Sequence, residues 1–342
     1  MKISGNWATQ DEPGKIGKLG DLNYERLLNV RSIFHPGCWI GIRRLLIARW
    51  AVPALLLASC STVAIGAERV QCGSVESTIL PHPVGYCAML PPDYDREPGK
   101  KFPVLYFLHG LGGDHTFLVS SGGWGLIEDA WEQKRFGEFV IITPQADTSF
   151  YINSKNGGTR YEDFFIREFI PRMEKKFRLL GTRSGRAIGG LSMGGYGALR
   201  FAFKYPQMFS SVGALMPALL EQLPRGSQNA GFTAFFGSAF GSPLDEAYWK
   251  ANTPFVFART ANLAGLKIFV DCGEQDGYGF DVGTRELDKL LTERRVPHEV
   301  HLYPGQHDWQ FVAQHLMESM EFQAKSFGGG QMASRRFRVG GP

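Results

Sequence analysis

The body of this chain has no excess of charge of either sign. The 342 residues carry a formal net charge of +4, but residues 1–50 hold eight Lys and Arg against four Asp and Glu, which is the whole excess. The remaining residues hold 29 side chains of each sign. Binding of nucleic acid leaves a basic patch or stripe in a sequence, so we expect no nucleic-acid partner.

Cysteines are also scarce, and their spacing is not that of a metal site. The chain has no C-x-x-C pair and no Cys/His ligand spacing, so we expect no metal. Cys72 and Cys87 are a candidate disulfide in an oxidising compartment, and two buried free thiols are the alternative. The five cysteines are Cys38, Cys60, Cys72, Cys87 and Cys272.

Residues 1–67 are predicted to be an N-terminal extension with an export signal. Three arginines between positions 43 and 49 precede the apolar run Trp50–Cys60 (WAVPALLLASC), which has secretory length. Its last residues, LASC, resemble a bacterial lipobox, in which Cys60 would be lipidated. Cleavage near Ala64–Ala67 and a membrane anchor reaching Ala67 are the alternatives. We expect an exported protein that is periplasmic, secreted or attached to a membrane through Cys60.

From Val70 onward, short apolar runs alternate with helical patterns, and no internal repeat interrupts them. Near-continuous apolar runs are typical of parallel strands that are buried on both faces. Two earlier runs flank Leu80–Pro83 and predict an antiparallel hairpin at a sheet edge. The sequence therefore predicts an α/β fold with a mostly parallel central sheet flanked by helices. The predicted parallel strands are Pro103–Leu108, Phe139–Thr143, Ala187–Leu191, Ser211–Leu215 and Lys267–Cys272. Glu299–Tyr303 alternates between apolar and polar residues and is predicted to be a strand nearer the sheet edge.

Helical spacing is clearest in four segments, residues 160–177, 194–205, 283–295 and 308–327. Pro171 is expected to kink or split the first of them. Residues 216–257 break the alternation with glycines, prolines and aromatics, and we interpret them as an insertion over the carboxyl edge of the sheet. Residues 68–327 would form one catalytic domain, followed by a flexible glycine-rich tail, 328–342.

A single serine stands among glycines directly after one of the predicted strands. Gly190, Ser192 and Gly194 form a G-x-S-x-G pattern (GLSMG), with a helical segment after it. In this pattern a sharp strand-to-helix turn presents the serine hydroxyl to a cleft, and glycines leave room for the close backbone packing. Because a serine hydroxyl is a weak nucleophile by itself, the sequence should also supply a base and an acid.

The base and the acid are expected in loops at the carboxyl edge, in the chain order serine, acid, histidine. His307 follows the last strand and precedes the closing helix, whereas His298 and His301 lie at or within that strand and are predicted to be structural. Asp276 follows the penultimate strand and is the predicted acid, with Glu274 as the alternative. Asp308 is predicted to cap the closing helix, and Asp271 lies within its strand.

Two backbone amides are predicted to stabilise the oxyanion of an acyl-transfer reaction. The N–H of Met193 directly follows the candidate nucleophile. The second donor is the N–H of Leu111 in HGLGG, the loop after the first parallel strand. His109 in that loop is interpreted as a structural residue.

Taken together, five stretches resemble the esterase D-like family of α/β-hydrolases, which includes feruloyl and acetyl-xylan esterases, S-formylglutathione hydrolases and mycolyltransferases. The resemblance implies an α/β-hydrolase fold, triad positions at Ser192, Asp276 and His307, and no metal or organic cofactor. The five stretches are LPPDY (Leu90–Tyr94), PVLYFLHGLGG (Pro103–Gly113), GLSMGGYGAL (Gly190–Leu199), CGEQD (Cys272–Asp276) and PGQHDW (Pro304–Trp309).

The predicted function is that of a serine carboxylic-ester hydrolase acting through an acyl-enzyme, on acylated carbohydrates or phenolic esters. A thioesterase acting on S-formylglutathione, an acyltransferase of the mycolyltransferase type and a non-catalytic binding module are the alternatives. Aromatic residues are expected to line the acyl or sugar pocket or to pack in the core around it. They are Phe150, Tyr151, Phe235, Phe236, Phe240 and Trp249.

Overall fold

The structure, a computed structural model, describes residues 69–223 and 230–327. The predicted export signal with Cys60 and the tail 328–342 lie outside the described residues. Within the described ranges, no helix combines the length and the apolar character that crossing a membrane requires.

Strands and helices alternate along the described chain. The strands are β1 (Val70–Val75), β2 (Val84–Met89), β3 (Val104–Leu108), β4 (Val140–Pro144), β5 (Arg186–Leu191), β6 (Ser211–Leu215), β7 (Lys267–Gly273) and β8 (Glu299–Tyr303). The helices are α1 (Phe117–Ser120), α2 (Gly123–Glu132), α3 (Tyr161–Phe164), α4 (Ile170–Lys176), α5 (Met193–Lys204), α6 (Ala230–Phe240), α7 (Glu246–Asn252), α8 (Pro254–Thr260), α9 (Phe280–Glu293) and α10 (Trp309–Phe327).

All eight strands form one sheet in the order β1-β2-β4-β3-β5-β6-β7-β8. The six strands from β4 to β8 in this order pair in parallel, and β1 and β2 run antiparallel to their neighbours. The central strands β3, β4, β5 and β6 are buried at every position, as their continuous apolar runs predict. Helix α10 packs with α2, and α5, α8 and α9 pack in series. The predicted α/β-hydrolase fold is confirmed.

The antiparallel hairpin at the sheet edge is also confirmed. β1 is the edge strand, and Cys72 and Cys87 occupy directly opposite positions on β1 and β2. A disulfide joins them, so the alternative of two free thiols does not describe this hairpin. Cys272 is a buried free thiol, and burial raises its pKa.

The segment around Pro171 differs from a simple kinked helix. Between α3 and α4 the chain makes a π-helical turn, Phe165–Phe169, and Pro171 sits in the first turn of α4. Proline has no N–H to donate to the helical ladder. The wider π-helical turn accommodates that interruption while the helical path continues.

The segment between β6 and β7 contains helices that the glycine-rich sequence does not predict. Three helices, α6, α7 and α8, fall within its described part. Its position is fixed by Asn252 at the end of α7. The Asn252 carbonyl accepts hydrogen bonds from the Tyr196 hydroxyl at 2.8 Å and from Arg200 Nε at 3.0 Å, and its Oδ1 accepts from Arg200 Nη2 at 2.8 Å. Since Tyr196 and Arg200 lie on α5, the insertion is attached to the helix that follows the candidate nucleophile.

Candidate active site

Ser192 sits at the sharp turn between β5 and α5, where the G-x-S-x-G pattern predicts it. Its backbone has φ 53° and ψ −115°, a conformation that residues other than glycine rarely adopt. Neighbouring backbone holds it there: the Ser192 N–H donates to the Leu215 carbonyl at 2.9 Å, and the Ser192 carbonyl accepts from the Ala218 N–H at 3.0 Å. Backbone strain that surrounding bonds maintain in this way is characteristic of functional sites.

The glycines of the pattern are required by close backbone packing. A Cβ atom at Gly194 would lie 2.0 Å from the Leu108 carbonyl oxygen, and one at Gly190 would lie 2.6 Å from the same oxygen. Both contacts are with backbone at the end of β3, which cannot rotate away as a side chain can. The turn therefore touches the strand that leads into the HGLGG loop.

Replacement of Gly194 by alanine is expected to destabilise the fold. The added methyl group must push the end of β3 away, and overpacking of this kind typically costs about 1–3 kcal/mol. The free energy of unfolding, measured by urea denaturation, checks this expectation. Gly125→Ala is the matched control, because Gly125 is an exposed position of α2 and a Cβ there meets nothing within 4 Å. It should be neutral or slightly stabilising, and equal stability of both variants would contradict the packing argument.

The structure brings Ser192, His307 and Asp276 into one chain of hydrogen bonds. His307 Nε2 lies 2.9 Å from Ser192 Oγ, and His307 Nδ1 lies 2.7 Å from Asp276 Oδ2. The three residues come from three separate loops at the carboxyl edge of the sheet, after β5, β7 and β8. An imidazole with a hydroxyl on one nitrogen and a carboxylate on the other can accept a proton from that hydroxyl.

The Asp276 carboxylate is held as the charged form. Its side chain is fully buried, and burial alone would raise the pKa, but the hydrogen bond and the charge of His307 outweigh burial and lower the pKa of Asp276 below its usual value. The Tyr278 N–H donates to Oδ1 at 2.8 Å, and the Cys272 thiol lies 3.6 Å from Oδ2. The carboxylate orientation is thus fixed from both sides.

The other acids and histidines that the sequence analysis weighed lie where they cannot replace these three. Glu274 is exposed, and His307 bonds to Asp276 instead. Asp308 Oδ1 accepts the Phe311 N–H at 2.9 Å, which is the predicted helix cap. His298 Nε2 lies 3.0 Å from Asp288, and the His301 ring packs on Phe269.

The HGLGG loop is fixed by His109. Its Nε2 accepts the Ala146 N–H at 3.0 Å, so Nδ1 carries the proton and donates to the Gly110 carbonyl at 2.8 Å. Burial lowers the pKa of His109, which keeps this neutral form. Leu111 in the loop and Met193 after Ser192 both line the cavity at Ser192, and their amides stay the predicted oxyanion donors.

Ser192 and His307 open into a cavity of about 390 Å³ whose lining is mainly apolar. Leu111, Phe117, Trp309 and Val312 contribute apolar side chains to its wall. Residues from the loop after β6 and from α6 contribute much of the rest. Those residues are Met216, Ala218, Leu220, Gly231, Phe232, Phe235 and Phe236.

The predicted pocket aromatics divide into two groups. Phe150, Phe235 and Phe236 line the cavity, whereas Tyr151, Phe240 and Trp249 are buried outside its lining. The Tyr151 hydroxyl, for example, donates to the His109 carbonyl at 2.9 Å. The second group supports the wall from behind and does not face a substrate.

Two aromatic residues that the sequence did not single out pack on the catalytic histidine candidate. Tyr278 and Phe280 contact the His307 ring edge to face, with centroid distances of 5.1 and 5.3 Å. They follow Asp276 directly in DGYGF. The sequence did contain a signal for these two aromatics. They lie close after the predicted acid, and the acid contacts the base, so residues beside the acid are expected near the base.

Asp271 is fully buried beneath the site and has a different environment from Asp276. Burial raises its pKa well above the usual range. Oδ1 accepts the Met216 N–H at 3.1 Å, and Oδ2 has no hydrogen-bond partner among the described residues. A protonated carboxyl is therefore the form that fits this position.

If Asp271 is protonated in the fold, the free energy of unfolding should depend on pH in a definite direction. A carboxyl whose pKa is higher in the fold than in the unfolded chain contributes stability at low pH, and this contribution is lost as pH rises above its value in the unfolded chain, about 3.9. Asp271→Asn puts a neutral side chain of the same shape in this position, so the variant should not lose stability in this way as pH rises. Its stability relative to wild type should rise with pH, by up to about 1.4 kcal/mol per pH unit. Urea denaturation at pH 4.5 and 6.5 measures the difference, and parallel values would show that Asp271 is ionised in the fold.

Comparison with known proteins identifies the family of this chain. The model of the Esterase family matches residues 77–322, which is most of the chain. The chain belongs to the Esterase family. An esterase of Mycobacterium tuberculosis is 31% identical over 245 residues, which cover 65% of this chain and 52% of that protein. This Esterase-family chain thus matches about half the length of that relative.

Two further comparisons concern a whole relative and a solved fold. An acetyl esterase of Caldicellulosiruptor saccharolyticus is 27% identical over 259 residues, covering 70% of this chain and 91% of that protein. The structure of a ferulic acid esterase superposes with a TM-score of 0.65 at 28% identity, covering 76% of this chain and 98% of that one. An S-formylglutathione hydrolase from Agrobacterium tumefaciens, at 18% identity and a TM-score of 0.62, shares the fold.

Proposed function

We propose that this Esterase-family member is a serine carboxylesterase that works through an acyl-enzyme. The observation that carries the proposal is the hydrogen-bonded series Ser192 Oγ, His307 Nε2, His307 Nδ1 and Asp276 Oδ2 at the base of one cavity. Membership of the Esterase family and the fold of a ferulic acid esterase support the same reaction class.

In the proposed reaction, His307 takes the Ser192 proton as the hydroxyl attacks the ester carbonyl carbon. The amides of Leu111 and Met193 stabilise the oxyanion, and Asp276 stabilises the imidazolium. The ester C–O bond then breaks, and His307 gives its proton to the leaving alcohol oxygen. Water repeats the sequence on the acyl-enzyme and releases the acid. Attack by a second alcohol in place of water would make the same site an acyltransferase.

The natural substrates that we propose are esters of acylated carbohydrates or phenolic acids. The apolar lining suits an uncharged acyl group, and relatives named as an acetyl esterase and a ferulic acid esterase support these two classes. No described residue in the lining is Lys or Arg, so the carboxylates of a glutathione leaving group find no cation there. We therefore rank esters above the formyl-glutathione thioester.

A labelling and substrate experiment tests the proposal. The protein should hydrolyse p-nitrophenyl acetate, and a fluorophosphonate probe should label Ser192, as identified by peptide mass spectrometry. Comparison of feruloyl, acetyl-sugar and formyl-thioester compounds should rank the esters first. Absence of both hydrolysis and labelling would instead support a non-catalytic binding module.

We also propose that the protein is exported, with attachment to a membrane through lipidated Cys60. The signal-like sequence before Cys60 supports this, and so does the Cys72–Cys87 disulfide, because disulfides persist in oxidising compartments. Expression of the full chain in a bacterium, with labelled palmitate and cell fractionation, tests it. Label that disappears in Cys60→Ser supports lipidation, and a cytosolic unlabelled protein contradicts it.

A further inference from the structure

The direction in which the alcohol leaves is set by His307, if the proposed function holds. The nitrogen that accepts the Ser192 proton, Nε2, is also the one that protonates the departing oxygen. The alcohol half of the ester must therefore begin beside the His307 imidazole. Its carbonyl oxygen must at the same time point toward the amides of Leu111 and Met193. The surface that follows His307 toward solvent is thus the surface that contacts the alcohol.

An aromatic surface occupies this position. Tyr278 packs edge to face on the His307 ring and stacks on Phe280, with ring centroids 5.5 Å apart and an angle of 19° between the planes. Phe280 is buried. Tyr278 lines the cavity as well, yet its side chain is 56% exposed. Tyr278 therefore stands at the opening of the cavity, on the side of the leaving alcohol.

Phe235 of α6 completes this surface from the opposite element. It is 44% exposed, lines the cavity, and has its ring centroid 6.2 Å from that of Tyr278. Neighbouring exposed apolar side chains beside a cavity form a contiguous patch of the kind that marks a ligand-binding groove or an interaction site. Of the five exposed large apolar residues in the described ranges, two are this pair.

We propose that Tyr278 and Phe235 form a stacking subsite for the pyranose ring of a sugar. The sugar is the alcohol half of the ester and the leaving group of the reaction. This inference rests on the proposed function and assigns the alcohol half of the ester. One face of a pyranose is made of C–H groups, which pack on an aromatic ring, while its hydroxyls stay in water at the open rim. An aromatic side chain provides a rigid contact area of this kind at low entropic cost.

The position of the pair favours a sugar over an apolar alcohol chain. An apolar group loses most contact with water where the cavity lining is buried, beside Phe150 and Phe236. At the rim a purely apolar alcohol would stay largely hydrated, whereas a sugar needs that hydration for its hydroxyls. The acyl group therefore belongs inside, and the sugar belongs on Tyr278 and Phe235.

The experiment uses two pairs of esters; the two members of each pair share an acyl group and differ in the alcohol. The feruloyl ester of methyl glucopyranoside is compared with ethyl ferulate, and the acetyl ester of the same glucoside with ethyl acetate. The quantity is the ratio of kcat/KM for the sugar ester to kcat/KM for the ethyl ester. Wild type should prefer the sugar ester, and Tyr278→Leu should lower the ratio about fivefold to tenfold, the effect of one aromatic contact.

Matched variants separate stacking from other effects. Tyr278→Phe keeps the ring and should keep the ratio, as should Val282→Ser, which is equally exposed on the neighbouring α9. Phe235→Leu should lower the ratio independently, which keeps the test valid if Tyr278→Leu does not fold.

Two results would overturn the subsite. One is a wild-type ratio of one or less. The other is an equal fall for both esters in Tyr278→Leu, since the ring would then act only through His307. A wild-type protein that hydrolyses none of the four esters would instead contradict the proposed esterase function, so the two failures are distinguishable.

Discussion

Ser192→Ala should lower kcat for ester hydrolysis by about 10⁵ to 10⁶, because loss of the nucleophile removes the whole covalent route. In the structure, Ser192 Oγ is the group that His307 Nε2 contacts at 2.9 Å, so the neighbouring base cannot act on another hydroxyl without rearrangement. Some rate above the uncatalysed reaction should remain, since the oxyanion donors and the cavity are intact. Steady-state assays with p-nitrophenyl acetate measure the loss.

Folding must be unchanged for this result to concern chemistry. Alanine removes one oxygen and leaves the backbone bonds of Ser192 to Leu215 and Ala218 in place. The circular dichroism spectrum of the variant should therefore match that of wild type. Ser74→Ala, on exposed strand β1, is the control for an inert serine. Hydrolysis by Ser192→Ala at the wild-type rate would identify another nucleophile and refute the proposed mechanism.

Asp276→Asn should lower kcat by about 10³ to 10⁴ with little change in structure. The carboxylate accepts the His307 Nδ1 proton at 2.7 Å, which leaves Nε2 free to take the proton of Ser192. The side-chain amide of asparagine can donate an N–H hydrogen bond to Nδ1, and this bond stabilises the imidazole tautomer with the proton on Nε2. That tautomer cannot act as a base toward the serine hydroxyl. The drop in kcat, measured from steady-state rates, checks the assignment.

Glu274→Gln is the control for Asp276→Asn, because it neutralises an exposed acid in the same loop. It should retain nearly full activity. A large loss in Glu274→Gln together with activity in Asp276→Asn would assign the acid to Glu274, which was the alternative from sequence alone.

The parts of the fold that could be predicted are those in which local pattern and burial agree. β3, β4, β5 and β6 are apolar at nearly every position because both of their faces are covered, and this makes them visible in the sequence. The turn at Ser192 could be predicted because its glycines are required by contacts with β3. His307 and Asp276 followed from their places after neighbouring strands, although their contact is formed only by the tertiary structure.

The parts that could not be predicted depend on tertiary packing. Helix α6 reads AGFTAFFGSAF, which has no polar face, so helical periodicity does not reveal it. Phe236 of this helix faces the cavity while Phe240 lies behind it, and the sequence treats the two alike. The π-helical turn before Pro171 could not be predicted either. The proline predicts that the helix is interrupted, but it does not specify the backbone conformation at the interruption.

The attachment at Asn252 has a consequence for how relatives of this protein could diversify. One carbonyl and one amide of Asn252 hold the far end of the α6–α7 segment to Tyr196 and Arg200, while β6 holds the near end. Both fixed points belong to the scaffold and neither touches Ser192 Oγ. The described segment from α6 to α7 is therefore the part that relatives can exchange. Ala218 lies outside it and keeps its bond to the Ser192 carbonyl. Grafting a homologous α6–α7 segment is a direct route to altered selectivity with the reactive groups undisturbed.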